Sequence, residues 1–393
     1  MRRYSANYIF SVAQPPIKNG IVEVDEHGVI VNIINPGESF KEIHSTEFYN
    51  GVIVPGFVNA HCHLELSHLF GKIPKGLGIA GFIKYVSEQR LVSQSDIDKS
   101  IEKAIFELER LGTVAVGDIC NVTDTLKFKS KSSIFFHNFI EVFGVNLNTV
   151  SATINRVVKV QDDFKAVYPH STSITPHSTY ALSSALWSKV EELLREQDAP
   201  VSIHFAESLP EYEFLRNGTG PILDRYKLFG VPFESPFELS PTSVVQDHIC
   251  KYKNVLLIHN TFASIEELIE LKNHFSKTTF VTCPESNLYI EGKLPDLSSM
   301  FESRLRIALG TDSLASATTL SMLYHINLIL ENFPNIPFAE VLKWATLNGA
   351  EALSVSEKYG SIEQGKSPGL NLITNFDFAN MQPSRNSSVR RLV

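Results

Sequence analysis

Between residues 51 and 309, short apolar segments typical of buried β-strands alternate with longer segments of helical periodicity. Strand-helix alternation predicts a parallel sheet, and eight such units over this length are typical of a (β/α)8 TIM-like barrel, an α/β fold. Helices are predicted over residues 95–111, 183–197, 264–275 and 318–332. The predicted strands end near Asn59, Gly117, Glu141, Thr175, Ile203, Ile258, Thr282 and Leu309.

The residues after the first predicted strand argue against the other common parallel fold. A doubly wound sheet would place a Gly-rich phosphate-binding loop there. Instead, the apolar run 51–60 leads directly into His61-Cys62-His63. The barrel is therefore the preferred interpretation.

Both ends of the chain contain short strand-like runs separated by turn residues. Residues 21–24 and 29–31 are joined by a connection that contains Gly28, a pattern typical of a β-hairpin. Neither end has enough strands to form a stable sheet alone. We expect residues 1–54 and 355–393 to form one small β-sandwich domain from both termini, and residues 55–354 to form the barrel.

Composition limits the classes of partner. The chain has a net charge of -8 and no basic run, so nucleic acid is not an expected partner. It shows no apolar segment long enough for a membrane span, and its four cysteines lack pair spacing, as in reduced cytoplasmic proteins. We expect a cytoplasmic protein with a small-molecule substrate and no membrane partner. The sequence leaves the oligomeric state open, a homodimer included.

The His61-Cys62-His63 segment is the most informative local feature. Side chains alternate along a strand, so His61 and His63 point to the same side and can bind one metal ion between them. Cys62 points to the opposite face, which argues against it as a third ligand.

Other polar residues follow the later predicted strands. In a barrel the carboxyl ends of all strands meet at one mouth, so these side chains should converge with the first two histidines. The strand-end residues are His61, His63, His177, His204, Glu207, His259 and Asp312.

The order His-x-His, His-x-x-Glu, His and Gly-Thr-Asp-Ser resembles the amidohydrolase superfamily, and most closely its nucleobase and nucleoside deaminases. The resemblance extends to residues 283–287 and 345–350 and to the closing segment 360–369. It implies a metal-dependent barrel with a small β domain and the hydrolytic release of an amino group from a heteroaromatic ring. Glu285 departs from the pattern, since Arg is common at that position.

Three imidazoles and one carboxylate suit Zn²⁺, with Fe²⁺ as the alternative. We assign His61, His63, His204 and Asp312 as ligands of one divalent metal. A second metal would need a bridging group such as a carbamylated lysine, and the fourth strand ends in Thr-Pro-His without a lysine. A bound Zn²⁺ lowers the pKa of its water to about 7.

Deamination also requires proton transfers to the ring and to the departing amine. Glu207 follows His204 closely and is placed to carry these protons. His259 can hold the attacking water, Asp312 can accept its proton, and His177 can hydrogen-bond the substrate ring. The resemblance to the deaminases implies the same roles for Glu207, His259 and Asp312.

Three further residues are candidate substrate contacts. Glu65 follows His63 in a His-x-His-Leu-Glu pattern that resembles enzymes acting on aminodeoxyfutalosine, an adenosine-like nucleoside. Glu65 can equally orient a ligand histidine. Glu88 and Arg90 can bind a ribose and a substrate carboxylate, or can lie on a solvated helix face. The proline-rich segment 209–253, expected to have little regular structure, should help to cover the site.

Deamination of an adenosine-like nucleoside is the preferred function. A second hypothesis retains the metal but hydrolyses a cyclic amide or displaces chloride from a ring. A third is a non-catalytic binding protein on the same fold.

Overall fold

The structure is a computed structural model that describes residues 1–37, 43–228, 230 and 237–393. The strands are β1 (Arg2–Ile9), β2 (Ile17–Lys18), β3 (Ile21–Val24), β4 (Ile30–Ile34), β5 (Thr46–Pro55), β6 (Phe57–Cys62), β7 (Thr113–Cys120), β8 (Phe135–Val142), β9 (Thr172–Pro176), β10 (Val201–Phe205), β11 (Asn254–His259), β12 (Lys277–Thr282), β13 (Ile307–Leu309), β14 (Leu370–Asp377) and β15 (Gln382–Arg391).

The α-helices are α1 (Gly78–Gln89), α2 (Gln94–Arg110), α3 (Leu126–Lys129), α4 (Val150–Lys165), α5 (Ser184–Glu196), α6 (Leu209–Asn217), α7 (Pro221–Leu228), α8 (Pro241–His248), α9 (Ile265–His274), α10 (Pro284–Ile290), α11 (Leu297–Glu302), α12 (Met322–Asn332), α13 (Phe338–Trp344) and α14 (Leu347–Ala352). Two 3-10 helices cover Leu64–Leu69 and Leu147–Thr149.

The parallel strands predicted from the alternating pattern are present. They form two four-stranded parallel sheets, in the orders β6-β7-β8-β9 and β10-β11-β12-β13. Isolated parallel bridges between Ser178 and His204 and between Cys62 and Asp312 connect the two sheets at both junctions. Mixed α/β architecture with parallel strands is therefore confirmed, and the carboxyl ends of the strands face one side.

The helices between these strands bury one apolar face each, as their periodicity predicts. In α2 the buried residues recur with a spacing of three or four, as one helix face requires. This helix begins at Gln94, one residue before the predicted start, and Ser93 caps it by accepting the backbone N–H of Asp96. Ser183 and Ser264 cap α5 and α9 at the predicted positions.

The terminal strands pair with one another. β1 to β5 and β14 to β15 form one mixed sheet of seven strands, in the order β15-β14-β5-β1-β3-β4 with β2 beside β1. The predicted hairpin is confirmed, since β3 and β4 pair antiparallel with Ile21 opposite Ile34. The described strands of both termini thus belong to a single hydrogen-bonded sheet.

The segment 209–253 was expected to have little regular structure, and this expectation is wrong for its described part. It contains α6, α7 and α8, and each has a proline in its first turn. Proline lacks the N–H that the first turn leaves unpaired, so it favours helix starts rather than preventing them. Residues 229 and 231–236 of this segment lie outside the described part.

None of the described helices has the length and apolar character that a membrane span requires. All four cysteines lie within the described residues and are unpaired, and three of them are buried.

Candidate active site

The predicted strand ends bring three imidazoles together. His61 lies on β6, His63 directly follows it, and His204 lies on β10. The Nε2 atom of His63 is 3.1 Å from Nε2 of His61 and 3.3 Å from Nε2 of His204. The Oδ1 atom of Asp312, just beyond β13, is 3.5 Å from Nε2 of His63 and 3.8 Å from Nε2 of His61. Nε2 of His63 therefore lies within 3.5 Å of one donor atom of each of the other three proposed ligands.

These donor atoms fit a divalent metal. In a tetrahedral zinc site with bonds of about 2.0–2.1 Å, neighbouring ligand atoms lie roughly 3.3 Å apart, close to the observed separations. Nitrogen lone pairs and a carboxylate aimed at one point repel each other unless a cation lies between them. His61, His63 and Asp312 form one potential metal-binding group, and His61, His204 and His259 form an overlapping one.

Neighbouring groups fix the orientation of two of these side chains. His204 donates Nδ1–H to the backbone carbonyl of His177 at 2.7 Å, which leaves its Nε2 lone pair free for a metal. The outer oxygen of Asp312 accepts hydrogen bonds from the hydroxyls of Ser286 at 2.6 Å and Ser316 at 3.0 Å. The sequence analysis did not identify either serine.

The protonation states suit metal binding. Burial lowers the pKa of His61 and His204, with a further contribution from neighbouring imidazoles, so both remain neutral ligands. Burial opposes the ionisation of Asp312, but His63 and His259 outweigh it and lower the pKa of the carboxyl below its usual value. His61 and His204 thus present neutral nitrogens, and Asp312 presents a charged carboxylate.

Glu207 and His259 lie beside this cluster. Oε1 of Glu207 is 3.5 Å from Nε2 of His259, and His259 Nδ1 contacts Oδ1 of Asn287 at 2.9 Å. Burial raises the pKa of Glu207 to about 8, with a smaller contribution from the charge of Asp312. A carboxyl that is protonated near neutral pH can act as a proton donor.

The backbone at these strand ends adopts an uncommon conformation. His259 and Asp312 have φ values of 74° and 59°, and Ala206, which precedes Glu207, has a φ of 48°. Left-handed conformations of this kind cost on the order of 1–3 kcal/mol in non-glycine residues and cluster at active sites. Their presence at three strand ends supports the identification of this mouth as a functional site.

Glu141, at the end of β8, is a site residue that the sequence analysis missed. It is buried, and its Oε1 accepts Nδ1–H of His177 at 2.6 Å. Burial alone would raise the pKa of Glu141, but His177 lowers it well below the usual value, and Glu141 in turn raises the pKa of His177. The signal was available, since Glu141 lies at a strand end like the residues that were identified.

Glu65 is held by several donors. Its carboxylate accepts the backbone N–H of Asn121 at 2.8 Å and the Asn121 side chain at 2.9 Å, and Arg90 lies 3.3 Å from it. The Asn121 side chain also donates to Glu141 at 3.0 Å. Glu65 is therefore part of a hydrogen-bonded network that links Arg90 to Glu141, as well as a residue of the cavity.

A cavity of about 300 Å³ opens onto these groups. Its polar end is formed by His63, Glu65, Glu141, His177, His204, Glu207, His259 and Asp312. Helix α1 contributes an apolar wall, and α7, within the segment 209–253, contributes Ile222, Arg225 and Tyr226. That segment therefore covers part of the site, as predicted.

The comparison with known proteins agrees with this geometry. The profile of the amidohydrolase family matches residues 52–389, which is most of the chain. The protein belongs to the amidohydrolase family.

Several proteins resemble this amidohydrolase along most of their length. An adenosine deaminase of Helicobacter pylori is 27% identical over 89% of this chain and 87% of its own. An aminodeoxyfutalosine deaminase of Nitratiruptor is 25% identical over 82% of this chain and 79% of its own. The crystal structure of Helicobacter pylori aminofutalosine deaminase in complex with methylthio-coformycin superposes with a TM-score of 0.81. That structure is 24% identical and covers 96% of this chain and 93% of its own.

The two remaining candidate contacts of the amidohydrolase lie in different places. Arg90 lines the cavity. Glu88 is exposed, lies 4.0 Å from Lys84, and is not among the residues that line the described cavity. Residues two apart on a helix differ by about 200° in direction, so Glu88 and Arg90 face different ways. The structure does not bring Glu88 to the site.

A buried ion pair contacts the backbone of Leu64, the residue that follows His63. Lys129 and Asp118 are both fully buried, with 2.5 Å between Nζ and Oδ2. The other oxygen of Asp118 accepts the backbone N–H of Leu64 at 2.8 Å, which fixes the residue after His63. Burial alone would lower the pKa of Lys129, but Asp118 raises it to about 12. Lys129 is therefore charged, and Asp118 holds the first loop in place through its hydrogen bond with Leu64.

Lys129→Met is therefore expected to lower the free energy of unfolding by about 3–5 kcal/mol, because it leaves the Asp118 charge buried and unpaired. Urea denaturation measures the change. Lys127→Met is the matched control, since Lys127 pairs with Asp98 at the surface and should cost less than about 1 kcal/mol. Equal effects of the two substitutions would contradict the proposed importance of the buried pair.

Proposed function

We propose that this protein is a metal-dependent aminohydrolase that deaminates an adenosine-like nucleoside, with aminodeoxyfutalosine among the candidate substrates. The observation that carries the proposal is the convergence of His61, His63, His204 and Asp312 beside a buried proton carrier, Glu207. The similar proteins include an adenosine deaminase and an aminodeoxyfutalosine deaminase, and this supports hydrolytic deamination as the reaction class.

The proposed ligands of one divalent metal are His61, His63, His204 and Asp312. The ion is Zn²⁺, with Fe²⁺ as the alternative that the same donors accept. When bound, it supplies an activated water molecule at neutral pH.

The remaining residues account for the proton transfers. Glu207 delivers a proton to the ring nitrogen beside the reacting carbon, and its raised pKa keeps that proton available at neutral pH. Asp312 accepts the proton of the attacking water, and His259 orients this water. His177, held by Glu141, lies along the cavity where it can hydrogen-bond the ring. The water oxygen bonds to the reacting carbon, and Glu207 takes up the remaining hydroxyl proton and passes it to the amino group. The carbon–nitrogen bond then breaks as ammonia leaves, and the proton held by Asp312 restores Glu207.

The cavity also suggests where the rest of the substrate lies. The apolar wall formed by α1 suits a nonpolar group beyond the sugar, and Arg90 and Arg225 line the same cavity. We propose that Arg90 contacts an anionic group such as a carboxylate, and that Glu65 supports it through their ion pair. A role of Glu88 in binding ribose would require a different position of its side chain.

Ammonia release from a panel of amino-purines, nucleosides and pterins tests the proposal. The metal-loaded protein should release ammonia from at least one adenosine-like nucleoside, and the product should carry oxygen in place of the amino group. A product that has gained a whole water molecule, or a chlorinated ring that loses chloride, would instead indicate the other hydrolase reactions. Failure of the metal-loaded protein to act on any adenosine-like nucleoside would contradict the proposal.

The pH dependence of kcat/KM should reflect Glu207. Its pKa is raised to about 8, so it holds its proton below that pH and loses it above. Because the reaction needs the protonated form to donate to the ring, kcat/KM should fall as pH rises through about 8. A pH-rate profile at constant metal content measures this. A rate that rises through the same range would contradict the role of Glu207 as initial proton donor.

We also propose how the two groups of strands are arranged into domains. The bridges between the two parallel sheets support their closure into one (β/α)8 barrel over residues 55–354. One face of the terminal sheet buries its own apolar core, including Tyr4, Val22, Ile53 and Leu372. This core supports a small β-sandwich domain formed by residues 1–54 and 355–393. A cytoplasmic location and a homodimer remain predictions.

A further inference from the structure

A second concave region lies at the opposite end of the strands from the candidate active site. This cleft has a volume of about 660 Å³ and lies among the turns that precede β12 and β13 and the helices α13 and α14. Arg306 immediately precedes β13, and Asp312 lies beyond its other end. At about 3.3 Å per residue, the three residues of β13 alone span roughly 10 Å between the two positions. The cleft is therefore separate from the catalytic cavity.

Positive charge is concentrated in this cleft. Its lining contains five cationic side chains and two carboxylates, whereas the whole chain has a net charge of -8. The cations are Lys272, Lys277, Arg304, Arg306 and Lys343, and the carboxylates are Glu340 and Glu351. An excess of positive charge in a concave region of an acidic protein raises the local concentration of anions.

Contacts with the protein hold several of these cations in place. Lys272 donates to the backbone carbonyl of Arg304 at 3.3 Å, and Lys277 donates to the carbonyl of Glu351 at 2.5 Å. Nε of Arg306 is 3.2 Å from the Glu351 carboxylate. A carbonyl contact does not neutralise an ammonium charge, so only one of the five cations has a carboxylate partner among the ion pairs of the described residues.

The crowding of like charges is unfavourable in the absence of an anion. Burial lowers the pKa of Lys277, the neighbouring charge of Arg306 lowers it further, and the carboxylate of Glu351 offsets part of this effect. An anion placed between these side chains would relieve this repulsion.

The favourable interaction of cations with helix C-termini explains only part of this cluster of cationic side chains. Lys272 and Lys343 lie in the last turns of α9 and α13, where cations interact favourably with the helix dipole. Lys277, Arg304 and Arg306 instead lie in or beside the two turns that lead into β12 and β13. Their convergence on the same cleft is not explained by the ends of those helices.

We propose that this cleft is a binding site for a small multivalent phosphate anion, such as inorganic diphosphate. A ligand that carries a single carboxylate would be too small, and would carry too little charge, to contact cations from three parts of the chain. A compact anion with several phosphoryl oxygens can accept hydrogen bonds from Arg304, Arg306 and Lys343 together. The buried indole of Trp344 forms part of the same lining.

Isothermal titration of the metal-saturated full chain with inorganic diphosphate, in the absence of free metal, tests the proposal. We expect saturable binding that weakens as salt concentration rises. Arg304→Gln combined with Lys343→Gln should weaken binding by about tenfold or more, and each single variant should give a smaller loss.

Lys159→Gln combined with Lys189→Gln is the matched control, because it removes two positive charges from exposed helix positions elsewhere. This control should bind diphosphate as the unmodified protein does. Circular dichroism establishes that each variant is folded. Absence of saturable binding to the unmodified protein would overturn the proposal. So would equal affinity of the cleft variant and the control, since binding would then lie elsewhere, including at the catalytic metal.

Discussion

Glu207→Gln is expected to lower kcat by about 10²- to 10⁴-fold while the bound metal is retained. Glutamine preserves the size and polarity of the side chain but cannot carry the proton that the substrate ring must receive. Glu207 does not belong to the potential metal-binding groups of the described residues, so its replacement should leave the metal site intact. Steady-state kinetics with metal analysis of the same preparation measure both quantities.

Glu213→Gln serves as the control for this substitution. Glu213 lies on α6, the helix that follows Glu207 in the chain, and its side chain is exposed. Its replacement makes the same chemical change close by in the sequence without touching the cavity lining, so activity and metal content should both be unchanged. Full activity of Glu207→Gln, or loss of its metal, would contradict the assignment of Glu207 as a proton carrier.

Removal of the metal should abolish activity. A bound divalent ion contributes several kcal/mol to transition-state stabilisation, so its loss should lower the rate by at least about a thousandfold. Metal analysis should find about one equivalent of Zn²⁺ or Fe²⁺ per chain, as expected for a site with three nitrogen ligands and one carboxylate. Chelation should abolish ammonia release, and added metal should restore it.

His204→Ala should reproduce the effect of chelation, because it removes one of the nitrogens that converge with His61 and His63. Metal content and activity should fall together, and added metal should rescue the variant poorly. His170→Ala is the control, since His170 is exposed and lies outside the cavity lining. Retention of tightly bound metal and activity in His204→Ala would refute the ligand assignment.

The structure also shows why some sequence predictions were correct and others were not. The spacing of His61 and His63 fixed their common direction, because side chains alternate along a strand. Glu88 and Arg90 are also two residues apart, but they lie at the end of a helix. Residues two apart on a helix point to nearly opposite faces. The helical assignment of this segment would have been enough to separate them.

Ser286 shows a different limit. Its hydroxyl acts through a hydrogen bond to Asp312, which lies 26 residues away in the chain. A sequence pattern identifies residues that share a motif, but it does not show which distant side chains meet. The sequence predicted that the segment 209–253 would help to cover the site, but it did not indicate that α1 provides an apolar wall of the same cavity.

The sequence by itself determined the alternation of strands and helices, the strand-end positions of the histidines and the acids, and the resemblance to amidohydrolases. Local periodicity and short motifs carry this information, because they depend only on neighbouring residues. The tertiary structure decided the short distances from His63 to the other proposed ligands, the partners that orient His204 and Asp312, and the raised pKa of Glu207. These properties depend on distances and burial between segments far apart in the chain, which only the folded chain establishes.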